Sequence, residues 1–218
     1  MGGANDLRDA RTAASGNTAA DVAARAAAAA ATAQNIVNAL GLLAQAGAQH
    51  FLISNLPDLG KTPEANFLGN TQASTDVTLH FNAYLALGVA GLDAFFLAST
   101  GIDLDIRMMD FFGLNNAVFD DALNNGGALY GITNVTSPCI NPVAPGAYFL
   151  PGSTDINCSV SAFSDPLHPS AASHALLGQL ALSTVPEPGS MALVLLGVVV
   201  MAGGFRRRAR VSQSFAAP

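Results

Sequence analysis

Asp165 and His168 stand three residues apart in "SDPLHPS", and Pro166 and Pro169 stiffen the segment around them. A carboxylate at that spacing can hold one ring nitrogen of an imidazole, fix its tautomer and stabilise its protonated form. That is the acid–base half of a nucleophilic hydrolysis. Asn5, in "GGANDLRD", supplies a different group, a side-chain amide able to donate to a developing oxyanion. Taken alone, the Asp-x-x-His segment also fits a carboxylate capping a turn beside a half-exposed histidine. Gly3-Ala4-Asn5-Asp6 alone also fits an ordinary loop.

The other chemically capable residues fit bland roles. His50 and His80 flank apolar patterns and His174 falls in the last helical pattern, all three being expected as packed or surface histidines. His168 and His174 are six apart, a poor spacing for joint metal ligation from one helix face. Asp103, Asp105 and Asp110 alternate around a strand end but lack the glycine-turned loop of a calcium site. Ser54 lies inside a strand pattern rather than on a sharp strand-to-helix turn, so it is not expected as a nucleophile. No metal or cofactor is expected. Cys139 and Cys158 enclose a Pro/Gly/Asn/Ser-rich segment without a CxxC pair or a histidine, which argues against zinc. They fit either a disulfide or two buried thiols, and an export-type C-terminus favours the disulfide.

The elements that must position these groups follow from periodicity. Residues 1–17 are Gly/Asn/Asp-rich and are expected as a loop; Thr18 to Ala48 is a long helical pattern containing "AARAAAAAATAQ". "HFLISNL", His50 to Leu56, is expected as a buried strand ending at Pro57. Asp76 to Leu92 is a helix with Asp76 or Thr75 at its N-cap, and residues 103–109 form a second strand. Residues 113–163 are mostly irregular apart from a short helix near 116–123, and Ser170 to Leu182 is the last helix before a linker at 183–190. Alternating helices and strands imply an α/β domain with a parallel sheet, although two strands are few for one.

"VPEPGSMALVLLGVVVMAGGFRRRAR" has three ordered parts: Pro186-Glu187-Pro188, an apolar run from Met191 to Phe205, and an arginine cluster. At about 1.5 Å per residue the run covers roughly 22 Å, against ~30 Å of hydrocarbon, a gap that flanking residues or local thinning can close. Arginines on its far side place the preceding chain outside the cytoplasm. This segment, residues 186–210, closely resembles the PEP-CTERM sorting signal of Gram-negative bacteria, with residues 211–218 as a tail. The resemblance implies export, a membrane anchor and a membrane-embedded, transpeptidase-like sorting enzyme as partner.

The composition agrees with a folded chain: 50% hydrophobic and 11% charged residues exclude a disordered polar polypeptide. The net charge of −6 is split, because four of the nine basic residues lie at 206–210. The acidic remainder repels phosphate backbones, so nucleic acid is not an expected partner.

"GGANDLRD", "NLPDLGKTP", "YGITNVTSPC" and "FSDPLHPS", in that order, resemble the SGNH (GDSL-type) esterase/lipase family over roughly residues 2–182. The resemblance implies a three-layer α/β/α, flavodoxin-like sandwich acting on a lipid, acyl or polysaccharide ester. It makes His168 the catalytic histidine, Asp165 its acid and Asn5 the oxyanion asparagine, and it puts Cys139 where many bacterial members carry a loop cysteine. The family's nucleophile, the serine of a Gly-Asp-Ser block, has no counterpart here, and Met1 directly precedes the third block. The expectation is therefore a partial domain lacking its first strands, with an open edge on the strand at 50–56, inactive as an ester hydrolase. The alternative is a non-catalytic PEP-CTERM surface or matrix-associated protein with a decayed hydrolase domain.

Overall fold

Alanine gives up the least on entering a helix, and the alanine tract lies inside helix α2 (Ala19–Gln45). A capping box starts it: the Thr18 hydroxyl accepts from the Asp21 N–H, and the Asp21 carboxylate accepts from the Thr18 N–H. The computed structural model describes residues 2–140 and 157–185. The expected anchor helix and Pro186, Glu187 and Pro188 lie outside the described residues. Around α2 come helix α1 (Ala4–Ala13), strand β1 (His50–Ser54), a 3-10 turn (Leu59–Lys61), helix α3 (Pro63–Phe67) and helix α4 (Thr71–Thr100). Strand β2 (Asp105–Met109), helix α5 (Phe111–Asn125), a second 3-10 turn (Cys158–Val160) and helix α6 (Ala171–Thr184) complete the order.

The two strands fall where the apolar runs put them, and they pair in parallel, from His50 opposite Asp105 to Ser54 opposite Met109. The fold class inferred from them is overturned. Among the described residues the protein is 64% helix and 8% strand, with six α-helices and one two-stranded sheet. It is a mostly helical fold, not a three-layer α/β/α flavodoxin-like sandwich. The reason lies in where apolar surface is buried. The main core joins Leu7 of α1 to Ala29, Ala33 and Val37 of α2 and to Val77, Phe81, Leu85 and Val89 of α4, whereas the sheet contributes one buried side chain to it, Ile53, and buries Met109 apart from it.

Helix α4 runs well beyond the expected Asp76–Leu92. It is closed by Gly101, whose φ of 73° suits a left-handed helix end. Small residues let α2 and α4 approach closely: a Cβ on Gly88 would stand 2.6 Å from Val37 Cγ2. Both helices are long and apolar enough to cross a membrane by length and composition, and Leu42, Leu79, Leu87 and Phe95 on them are exposed. A buried arginine also ties them together, with Arg25 Nε of α2 donating to Asp76 Oδ2 of α4 at 2.7 Å.

Residues 1–17 are not simply a loop, since α1 occupies most of them. Leu7 and Arg11 on one of its faces are buried. Their burial against α2 and α4 supplies what the local composition lacks, because a ten-residue helix is marginal without tertiary contacts.

A second cluster lies around α5, where Val118 and Phe119 pack with Ile132, Val135, Ala162 and Phe163. Cys139 and Cys158 are joined by a disulfide. Backbone bonds from Cys139 N to Phe163 O (3.1 Å) and from Ile140 N to Ser164 O (2.8 Å) lay this segment beside the chain entering the Asp165 loop.

Candidate functional site

Phe163 and Pro169 pair across an antiparallel bridge, and Ser164 N donates to His168 O at 2.9 Å. These contacts close a tight loop with Asp165 and His168 inside it. Asp165 Oδ1 accepts from Leu167 N at 2.8 Å and from His168 N at 2.7 Å, the local arrangement an aspartate makes with the backbone two and three residues on. Asp165 Oδ2 is then left to face His168 Nδ1, at 2.7 Å. An ionised carboxylate only accepts, so Nδ1 carries the proton. In the neutral ring Nε2 is therefore the basic nitrogen. Partial burial tends to raise the Asp165 pKa. The two backbone N–H groups, the imidazole hydrogen bond and its charge outweigh that and hold the carboxyl below its ordinary value. The His168 side chain is 69% exposed, open to proton exchange rather than sealed in a core.

Asn5 sits in the first turn of α1. Gly3 precedes that turn with φ 96°, a conformation L side chains rarely adopt, and a Cβ there would lie 3.1 Å from Phe81 Cε2. Arg8 Nη1 donates to Asn5 Oδ1 at 3.4 Å. Because a guanidinium has no acceptor, this bond fixes the amide orientation and turns the NH2 donor the other way.

Asn5 and His168 both line one cavity of about 410 Å³, a size that suits a small organic ligand. Leu56, Phe111, Leu114, Val118 and Phe163 make much of its wall apolar. His174, expected to be bland, lines the same cavity; its Nδ1 lies 2.9 Å from Ser170 O, one helical turn back, and donates to it. Two hydroxyl side chains line the cavity, and both are committed to backbone carbonyls. Ser173 Oγ donates to Ala162 O at 2.7 Å, and Thr62 Oγ1 donates to Leu59 O at 2.7 Å. The cavity thus combines a base, a candidate oxyanion donor and an apolar wall, with no uncommitted hydroxyl among these lining residues.

The remaining candidates fall elsewhere. His50 Nδ1 meets Asp105 Oδ2 at 3.2 Å on the outer end of the sheet, and His80 meets Asp76 one turn away on α4 at 3.6 Å. Asp110 caps α5 by accepting from Gly113 N, and it also accepts from Asn55. Among the described residues no group of three or more His, Cys, Asp or Glu side chains is placed to hold a metal ion. Ser54 Oγ donates to Asn55 O at 2.7 Å.

Glu64, which no motif in the sequence singles out, is buried between two arginines of α1. Arg8 Nε donates to its Oε2 at 2.8 Å, Arg8 Nη2 reaches its Oε1, and Arg11 Nη2 reaches Oε2. The only local signal is an acid after Thr62-Pro63 at a helix start; the arginine partners are more than fifty residues away in sequence.

Among known families, the PEP-CTERM protein-sorting motif matches residues 184–208. No curated protein matches the chain. The family match covers the tail alone and lends no support to an esterase domain in the residues before it. The motif marks the protein for export and membrane anchoring in a Gram-negative bacterium, with a sorting enzyme to process it.

Proposed function

We propose that the chain acts as a non-catalytic, surface-sorted protein whose folded part carries the acid–base and oxyanion side of an ester-hydrolysing site. One observation carries this reading: Asn5 and His168 line one apolar cavity whose Ser173 and Thr62 hydroxyls both donate to carbonyls. A hydroxyl already donating to a backbone carbonyl, with no base on its oxygen, is a poor nucleophile. With no attacking group among the described lining residues, the Asp165–His168 pair and the Asn5 amide can bind and polarise a carbonyl compound but form no acyl-enzyme there.

A second reading, an ester hydrolase of the cell envelope, draws on the 2.7 Å Asp165–His168 bond. There a serine outside the described residues would be the nucleophile, with His168 Nε2 taking its proton, Asp165 holding the ring and Asn5 donating to the tetrahedral oxyanion. Its substrate class is a lipid, acyl or polysaccharide ester. One assay separates the two: the full chain in detergent with a short-chain aryl ester, beside His168→Ala. The non-catalytic reading expects equal background rates. A rate that His168→Ala abolishes overturns it in favour of the hydrolase.

A further inference from the structure

We propose that Glu64 is a positioning residue that keeps Asn5 and the Asp165–His168 loop in register across the cavity. The inference rests on the reading above, in which those two groups serve one site. They belong to opposite ends of the folded unit's sequence, and Glu64 bonds to the loop directly at Pro166 and to Asn5 through Arg8.

Pro63 occupies the first position of α3, so the Glu64 N–H is the first backbone donor of that helix, and no intrahelical acceptor exists for it. It donates to Pro166 O at 2.9 Å, inside the loop closed by Asp165 and His168. The carboxylate of the same residue, 1% exposed, receives Arg8 and Arg11. Arg8 continues to Asn5 Oδ1, and Arg11 Nη1 continues to Ser74 Oγ at 2.9 Å. Asn5, Arg8 and Arg11 follow at three-residue spacing on α1 and so share a helix face. A single residue therefore fixes the histidine loop through its main chain and the asparagine helix through its side chain. Charge-assisted bonds of the carboxylate–guanidinium kind are directional, which suits them to setting an angle as well as holding a weight.

The test uses the isotope-labelled full chain in detergent micelles. Glu64→Gln removes the charge while keeping the shape. The control is Asp76→Asn, which breaks the buried Arg25 pair without touching the loop. In Glu64→Gln the Asn5 side-chain NH2 signals are expected to shift or split. The substitution keeps the residue-64 N–H, so its deuterium exchange should accelerate, by up to about tenfold, as the weakened side-chain anchor lets the bond to Pro166 O open more often. Asp76→Asn is expected to leave both readouts unchanged even though it lowers the melting temperature. Unmoved Asn5 signals in folded Glu64→Gln, or equal movement in the control, overturn the proposal. If Glu64→Gln does not fold, Arg8→Gln decides: Asn5 should move while the Glu64 amide stays protected through Arg11, and an unmoved Asn5 again overturns it. Ester turnover enters none of these readouts, so they can fail while the functional reading stands, and the reverse.

Discussion

Gly3→Ala should damage the protein far more than Gly2→Ala, although the two positions are adjacent. At Gly3 the backbone has φ 96° and ψ −20°, where an L residue costs roughly 1–2 kcal/mol. The new methyl would also stand 3.0 Å from Thr32 Cγ2 and 3.1 and 3.2 Å from Phe81 ring carbons. Phe81 is wholly buried, so the ring has nowhere to retreat, and overpacking of this kind costs about 1–3 kcal/mol. Together these give roughly 2–5 kcal/mol. For a chain of this size that lowers the melting temperature by something on the order of 10 °C. At Gly2 a Cβ would meet only Ile36 Cδ1 at 3.8 Å, an ordinary contact, and the expected change is within about 0.5 kcal/mol. Urea unfolding of both variants beside the parent gives the difference directly. The chain can relieve the strain by unwinding the first turn of α1, which would shrink the stability loss. The Asn5 side-chain signals would then move instead, so both are recorded. If Gly3→Ala matches Gly2→Ala in stability and leaves the Asn5 signals in place, the packing argument for how Asn5 is positioned is refuted.

Replacing Cys139 and Cys158 with serine should lower stability by about 3 kcal/mol, the chain-entropy value for a loop of this length; denaturant titration under non-reducing conditions measures it, and an unchanged midpoint contradicts it. Folding depresses the Asp165 pKa, so its contribution is fully present above the unfolded value of about 4 and fades as the pH falls through the lower folded value. Asp165→Asn should therefore show a shallower acid loss of stability than the parent below about pH 4. Parallel slopes in unfolding curves across that range would remove the carboxylate from the account.

Much of the local chemistry was legible because it is local. Asp165 reaches Leu167 N, His168 N and the His168 ring within four residues, so spacing alone foretold their meeting. Strands β1 and β2 were legible from short apolar runs, and α2 from its alanines. Helix α1 was not, since its apolar content is modest and its burial comes from Leu7 and from Arg11 reaching Glu64. The fold class failed for a related reason. Alternating helices and strands look the same in sequence whether the strands build a sheet core or, as here, add one buried isoleucine to a helix-on-helix core. His174 reached the cavity through the placement of α6, which no spacing rule foretells.

The cystine at 139 and 158 also sets an order of events. In the reducing cytosol its two halves remain separate thiols, and among the described residues two backbone bonds, to Phe163 and Ser164, hold the strip carrying Cys139 and Ile140 against them. Oxidation follows translocation, so the approach to Asp165 is tightened only on the far side of the membrane. The Asp165–His168 contacts are local and need no cystine, so what forms at the cell exterior is the covalent tie between the strip at Cys139 and the 3-10 turn at Cys158.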